Sequence, residues 1–334
     1  KTFEIISSSK LISSKFTQKP RARTQNLNIR TRALLKVQDG CNNFCTYCIV
    51  PYLRGREKSV PFLEVLKEAK RMEKMGYREI VISGVNVGKY SSPIDKTVIP
   101  KIKTSTEEGI INLEGLLRTI LSETKIPRIR LSSINPQDVS EGLINLWAKE
   151  SRLCRHLHLS LQSGSDLILK KMGRPYTKKQ YLDLVKKIRK QIPGIAITTD
   201  LIVGFPGETE REFQETKDFV KKILFARIHV FPYSKRERTK AANMLNQINE
   251  NEKKNRSKKL RSISKNLSND FKKKFIGTEQ EVLFEGFDRK LNKKNQKKKD
   301  WLGLTSNYIK VRYESEKDLK NKILKIRLNK SNIL

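Results

Sequence analysis

Six apolar runs, each separated from the next by a stretch of helical spacing, restrict this chain to one kind of sheet. The runs are ALLKVQDG (33–40), REIVISG (78–84), IPRIRLSS (126–133), RHLHLSLQ (155–162), AITTDLIVGF (196–205) and RIHVFPY (227–233). After the first, Phe62, Val65, Leu66, Ala69 and Met72 recur at helical spacing, and Gly76 follows as a stop signal. LEGLLRTILSET (113–124), the segment from Asn135 to Trp147, the stretch up to Ile192 and residues 208–223 repeat the helical pattern. Asn135 and Pro136 read as the N-cap and first residue of their helix. Strands joined by helical crossovers pair in parallel, because a crossover needs roughly a dozen residues or more. Runs as uniformly apolar as DLIVGF suit a sheet covered on both faces. The expected fold class is α/β, a (βα)6 partial barrel at residues 31–239, with its chemistry at the C-terminal ends of the strands.

Beyond Pro232 the pattern changes. Residues 240–276 read as a basic helical connector. Residues 277–334 hold short strand-like runs, EQEVLFEGF, SNYIKVRYES and NKILKIRL, as in a small all-β barrel of the OB-like, nucleic-acid-binding type. Residues 1–30 are polar, Ser-rich and basic, which fits a leader or the remnant of a domain lying upstream. No apolar run approaches the ~18 residues that span a bilayer, so no membrane partner is expected.

Lys and Arg number 71 against 35 Asp and Glu, a formal charge of +36. Compositional drift toward Lys explains part of such an excess, but the excess is uneven: residues 251–300 hold 17 basic against 7 acidic side chains. A nucleic acid, RNA or DNA, is the expected polyanion. Lys293, Lys294, Lys297, Lys298 and Lys299 are the candidate phosphate contacts. Tyr308, with Phe284, Phe287 and Tyr313, is placed either to stack on unpaired bases or to fill the core of the small barrel.

Three of the four cysteines lie in GCNNFCTYCIVPYLRGRE (40–57), with the spacing C-x3-C-x2-C on the loop after the first strand. Four cysteines in a chain this long make no disulfide framework, which points to a reducing, cytoplasmic compartment and to metal or redox chemistry. A [4Fe–4S] cube used only for electron transfer takes four thiolates; three leave one iron open to a substrate or cofactor. The competing reading is zinc, with Cys154, His156 or His158 as the fourth ligand.

That loop, together with LSSINPQD, HLSLQSGSD, KMGRPYT, TTDLIVGFPGETE and HVFPYS, resembles the radical S-adenosylmethionine methylthiotransferases from about residue 31 onward, the last part being similar to their TRAM domain. GVNVGKY and RIRLSSINPQDV look most like the branch acting on N6-threonylcarbamoyladenosine in tRNA, a resemblance that implies RNA and no DNA as partner. The resemblance implies that Cys41, Cys45 and Cys48 hold a [4Fe–4S] cluster whose open iron binds S-adenosylmethionine. It implies a 5′-deoxyadenosyl radical that abstracts a hydrogen, and methylthiolation of adenine C2 beside the anticodon, with an electron donor such as flavodoxin or ferredoxin and a separate sulfur source. Tyr47, Gly84, Asn86, Ser133, Gln162, Arg174, Gly204 and Glu208 would then surround the cofactor, and Asp200 would stand at the reaction centre. Each has a plainer reading: a strand-end turn at 84–86, structural hydrogen bonds at Ser133 and Gln162, a solvated Arg174, a first-turn charge at Glu208. His158 and His229 read as satisfied core residues and Cys154 as a buried free thiol.

The sequence departs from the family at four places. No cysteine precedes Cys41, so the second cluster of these enzymes is not encoded in this chain, as expected of a fragment of a longer protein. Ser160 stands where a proline is usual, and Lys235 and Arg238 replace a proline and a glycine. A tRNA-binding chain that cleaves S-adenosylmethionine without transferring sulfur is the competing function.

Overall fold

The computed structural model describes residues 31–94, 109–287 and 297–334, so the expectations for the leader and for Lys293 and Lys294 lie outside the described residues. The first half of the sheet comprises β1 (Arg32–Lys36), β2 (Glu79–Ser83) and β3 (Arg128–Leu131). The second half comprises β4 (Ser133–Ile134), β5 (His156–Leu159), β6 (Ala196–Val203) and β7 (Arg227–Pro232). Every pairing among them is parallel and follows chain order. The third expected strand breaks at Ser132: its lower part, β3, pairs with β2, and its upper part, β4, pairs with β5.

The helices follow the sequence pattern: α1 (Phe62–Lys74), α2 (Leu113–Glu123), α3 (Glu141–Lys149), α4 (Asp166–Lys171), α5 (Lys178–Gln191) and α6 (Glu210–Ile223). Asn135 does not cap α3, because Pro136–Asp138 form a separate 3-10 turn and the Ser140 side chain accepts from Leu143 N instead. Within residues 240–276 a 3-10 turn (Lys240–Asn243) precedes one long helix, α7 (Glu250–Lys273), started by the Asn249 side chain.

Period-two alternation sorts the barrel strands into two faces. Leu35, Ile80, Ile82, Ile129, Leu131, Leu157, Leu159, Ile197, Leu201 and Val230 are buried in one core with the apolar stripes of the helices. The alternate positions carry Arg32, Glu79, Arg128, Arg130, His156, His158, Thr198, Asp200 and His229. The His158 and His229 rings meet at 5.8 Å across the intervening strand, so this polar face is the concave one.

The C-terminal sheet is four-stranded and antiparallel, in the order β10 (Lys310–Ser315), β9 (Lys299–Thr305), β8 (Glu279–Phe287), β11 (Ile323–Arg327). Strand β9, KDWLGLT, was not foreseen from the sequence, because it emerges directly from a lysine run. Phe284 and Trp301 fill this sheet's core, while Phe287 and Tyr313 stay partly exposed.

The loop after β9 caps the N-terminal end of the barrel. Arg128 donates to Leu304 O at 2.8 Å and Glu281 O at 2.6 Å, and Arg130 donates to Ser306 O at 3.1 Å. Arg130 also pairs with the fully buried Glu79 at 2.7 Å. Tyr308 stacks on His156 at 4.6 Å beneath the Arg130 guanidinium, which is 4.9 Å from the ring centroid. The Tyr308 ring thus packs within the joint, in a left-handed backbone turn (φ 68°).

Burial, reinforced by Arg130, holds His156 well below the usual histidine range, so it is neutral in the fold. A depressed histidine contributes stability that is complete above its unfolded value of 6.5 and is lost as pH falls below it. Replacing His156 with Gln is expected to flatten the loss of stability between pH 6.5 and 5 by up to about 1.4 kcal/mol per pH unit, measured by urea unfolding. His229, also held low by burial, leaves a residual slope. Identical slopes in parent and variant would contradict this.

Candidate functional site

The cysteine loop sits at the C-terminal end of β1, opposite the joint, and is held there by backbone chemistry. Gly40 adopts φ 71°, and a Cβ there would lie 2.0 Å from Arg56 O, so the turn that aims the loop admits only glycine. Cys41 N donates to Gly55 O at 3.2 Å and Cys48 N to Cys45 O at 2.9 Å. Thr46 seats the middle of the loop: its N–H donates to Met172 O, its hydroxyl to Lys171 O, and its carbonyl accepts from Ala241 N. The Tyr47 ring packs beside Ile168, Met172 and Phe205.

Cys41, Cys45 and Cys48 are free thiols on one short loop, and Cys45 is buried. Burial pushes the Cys41 and Cys48 thiols up, and proximity to Cys45 adds to it. Bound iron offsets that cost by taking the thiolate form directly. Among the described residues no three His, Cys, Asp or Glu side chains converge to hold a single metal ion. A cube asks for a looser arrangement, because each thiolate meets a different iron.

A chain of hydrogen bonds ties the loop to the other strand ends. Arg174 is buried, and its Nη1 donates to Cys45 Sγ at 3.2 Å, its Nη2 to Asn135 Oδ1 at 2.6 Å and its Nε to Tyr176 Oη at 2.9 Å. Asn135 Nδ2 donates to Asn86 Oδ1 at 2.9 Å, and Asn86 N donates to Gln38 Oε1 at 2.7 Å. Gln38 Nε2 returns to Gly40 O at 2.8 Å, where the cysteine loop begins. Gly84 lies against Gln38: a Cβ there would come within 2.9 Å of its carbonyl oxygen. The Nδ2 of Asn86 is buried without a partner among the described residues, so a donor faces the site unspent. A ligand with an acceptor group next to the thiols fits that donor set.

The remaining candidates divide. Ser133 is exposed at the top of β4, and Gln162, at φ 74°, continues the pairing of β5 with β6: its N–H donates to Asp200 O and its carbonyl accepts from Ile202 N. Asp200 Oδ2 lies 3.3 Å from His158 Nε2, at ion-pair distance without hydrogen-bond alignment, while His158 Nδ1 contacts the Thr198 hydroxyl at 3.0 Å. His158 is thus part of the polar inner face, not of an apolar core. Glu208 is buried and pinned, accepting from Gly204 N at 2.6 Å and Arg256 Nη1 at 2.8 Å, so it locks helix α7 onto the loop after β6. Burial pushes its carboxyl up, against the pull of Gly204 and Arg256. Lys297, Lys298 and Lys299 are exposed on the C-terminal sheet.

Cys154 does not join the cysteine loop. It lies next to Glu79 (3.8 Å) at the other end of the barrel, its thiol pushed up to about 12 by burial. His156 stacks in the joint there, which removes two of the three proposed zinc ligands from the loop. Gln38, Asn135 and Tyr176 were missed from the sequence. Gln38, a polar side chain ending an apolar strand, was the readable signal. Ser160 N donates to Ile134 O at 3.1 Å, a bond proline lacks, and Arg238 takes φ 67° in its glycine's stead.

A parallel partial barrel with three thiols on the loop after its first strand is the build of enzymes that carry out radical chemistry with S-adenosylmethionine. The sequence profile of the radical SAM superfamily matches residues 35–220, and the chain belongs to that superfamily. Within it, the chain is 38% identical over 302 residues to the threonylcarbamoyladenosine tRNA methylthiotransferase MtaB of Bacillus subtilis (90% of this chain, 63% of that protein). It is 40% identical over 298 residues to the tRNA-2-methylthio-N(6)-dimethylallyladenosine synthase of Acetivibrio thermocellus (89% of this chain, 58% of that protein). To the MtaB of Thermotoga maritima it is 43% identical over 263 residues (77% of this chain, 56% of that protein). The chain thus spans about three-fifths of the length of the curated relatives it matches.

Two glycines separate the role of the turn from simple backbone strain. Gly55 has φ 73° and ψ −165°, a backbone region essentially restricted to glycine, with open space around its Cβ position, so Gly55→Ala is expected to cost backbone strain alone, roughly 1–3 kcal/mol. Gly40→Ala adds the clash with Arg56 and is expected to cost more and to retain markedly less iron after anaerobic reconstitution. Equal iron content in the two variants would contradict the role given to Gly40.

Proposed function

We propose that this chain is the radical SAM and RNA-binding portion of a tRNA methylthiotransferase that acts in the cytoplasm on C2 of N6-threonylcarbamoyladenosine beside the anticodon. The observation that carries the reading is the chain of bonds from Cys45 through Arg174, Asn135 and Asn86 to Gln38, which joins the three-thiol loop to the ends of the neighbouring strands. When bound, the [4Fe–4S] cluster and S-adenosylmethionine supply one-electron chemistry able to break an unactivated C–H bond. Cys41, Cys45 and Cys48 would hold the cluster. Arg174 neutralises charge at Cys45 and fixes its direction, and its three committed donors make it a positioning residue, not a carboxylate clamp. Asn86 offers its free Nδ2 to the cofactor, and the turn at Gly84 lets backbone approach it. Asp200 and His158, on the inner face below, present a polar wall to the adenosine. The C-terminal sheet, read as a TRAM domain, and the exposed lysines 297–299 grip phosphates. An electron donor and a sulfur source act from outside this chain.

The threonylcarbamoyl assignment rests on GVNVGKY and RIRLSSINPQDV and on the similarity to the two MtaB proteins. A dimethylallyl substrate is the second reading, favoured by Leu34 and Phe231, apolar side chains of β1 and β7 that are 60% and 50% exposed.

Nucleoside mass spectrometry of tRNA tests the proposal in cells that lack their own methylthiotransferases and express this chain. The expected product is 2-methylthio-N6-threonylcarbamoyladenosine, lost in Cys41→Ala and Cys48→Ala. The dimethylallyl counterpart would transfer the assignment to the second reading. Neither product, from protein that still cleaves S-adenosylmethionine, would leave a radical core without sulfur transfer and overturn the proposal.

A further inference from the structure

A cavity of about 400 Å3 opens at the base of the barrel, away from the cysteine loop. It lies between the starts of β6 and β7, helix α7 and the loop before β10. Its volume falls within the roughly 300–1,000 Å3 of small-ligand sites. Arg227, Arg261, Lys265, Lys272 and Lys310 line it, and no Asp or Glu side chain does. Arg261 donates to Val230 O, but among the described residues Arg227, Lys265, Lys272 and Lys310 have no carboxylate within ion-pair distance.

Cations gathered this way repel one another. Burial lowers the Lys272 ammonium from its ordinary range, and Arg227 and Lys310 lower it further. A bound anion offsets both costs at once. Phe271 and Ile309 give the cavity an apolar wall beside these charges, a combination that suits a base next to its phosphate.

We propose that this basal cavity is a second, separate site for a nucleotide-sized phosphate ester, held by Arg227, Lys272 and Lys310. The phosphate can come from an RNA strand passing the base of the barrel or from a free mononucleotide. The site is independent of the cysteine loop and of the reaction assigned to it.

The test uses the full chain after anaerobic cluster reconstitution, with two probes: adenosine monophosphate by calorimetry and a labelled single-stranded RNA by anisotropy. The variants are Lys272→Ala/Lys310→Ala in the cavity and, as a charge-matched control, Lys186→Ala/Lys190→Ala on the exposed side of α5. The cavity variant is expected to lose about tenfold in RNA affinity, with a log–log salt slope shallower by about 1.4, while the control changes about twofold or less. Lys272→Arg/Lys310→Arg is expected to retain binding, which separates lost charge from lost folding. Loss of adenosine monophosphate binding in the cavity variant identifies the free nucleotide as a source; loss confined to RNA identifies the strand. If cavity and control variants lose affinity equally, or neither loses any, the site does not exist.

Discussion

Glu79 is fully buried at the start of β2, where a lone carboxylate would cost several kcal/mol. Its partners, Arg130 and more distantly Arg128, are themselves buried, and neither guanidinium spends all its donors on that one carboxylate. The surplus goes to carbonyls of Leu304, Ser306 and Glu281, in the C-terminal sheet. A barrel with a charged inner face thus requires something to close its floor, and the C-terminal sheet does so with backbone carbonyls. Guanidinium donors and the stacked Tyr308 ring join the two parts.

The same inner face, followed upward, becomes the site. Thr198 contacts His156 below and His158 above, and His158 reaches Asp200, so polar pairing continues from the floor toward the open end. At the rim the pairing changes character, from charges held in a joint to a ring of amides around Arg174. A rim built from amides and one guanidinium orients a ligand without adding an ionisable competitor to the thiols. Glu208, by contrast, is spent on Arg256 and holds α7 against the barrel, whose far end then borders the basal cavity.

The strands, helices and cysteine loop were legible because they rest on local periodicity and spacing. Ile80 and Ile82 or Phe62 and Val65 announce their faces without reference to anything distant. What the sequence hid depends on pairs far apart in the chain. Arg130 meets Ser306, Arg174 meets Cys45, and Glu208 meets Arg256; none of these has a period. The stacking of Tyr308 on His156 likewise joins residues far apart in the chain. Strand β9 was missed because its lysine-rich entry masks a buried Trp301 and Leu304.

The central claim is that three thiolates on one loop hold a cluster with an iron left for S-adenosylmethionine. Iron and acid-labile sulfide analysis with electron paramagnetic resonance of the reduced, anaerobically reconstituted chain tests it most directly. The account predicts a [4Fe–4S] signal that shifts when S-adenosylmethionine is added and disappears in Cys45→Ala, while Cys154→Ala leaves it intact. Stoichiometric zinc without labile sulfide, or a cluster signal indifferent to S-adenosylmethionine, would contradict it.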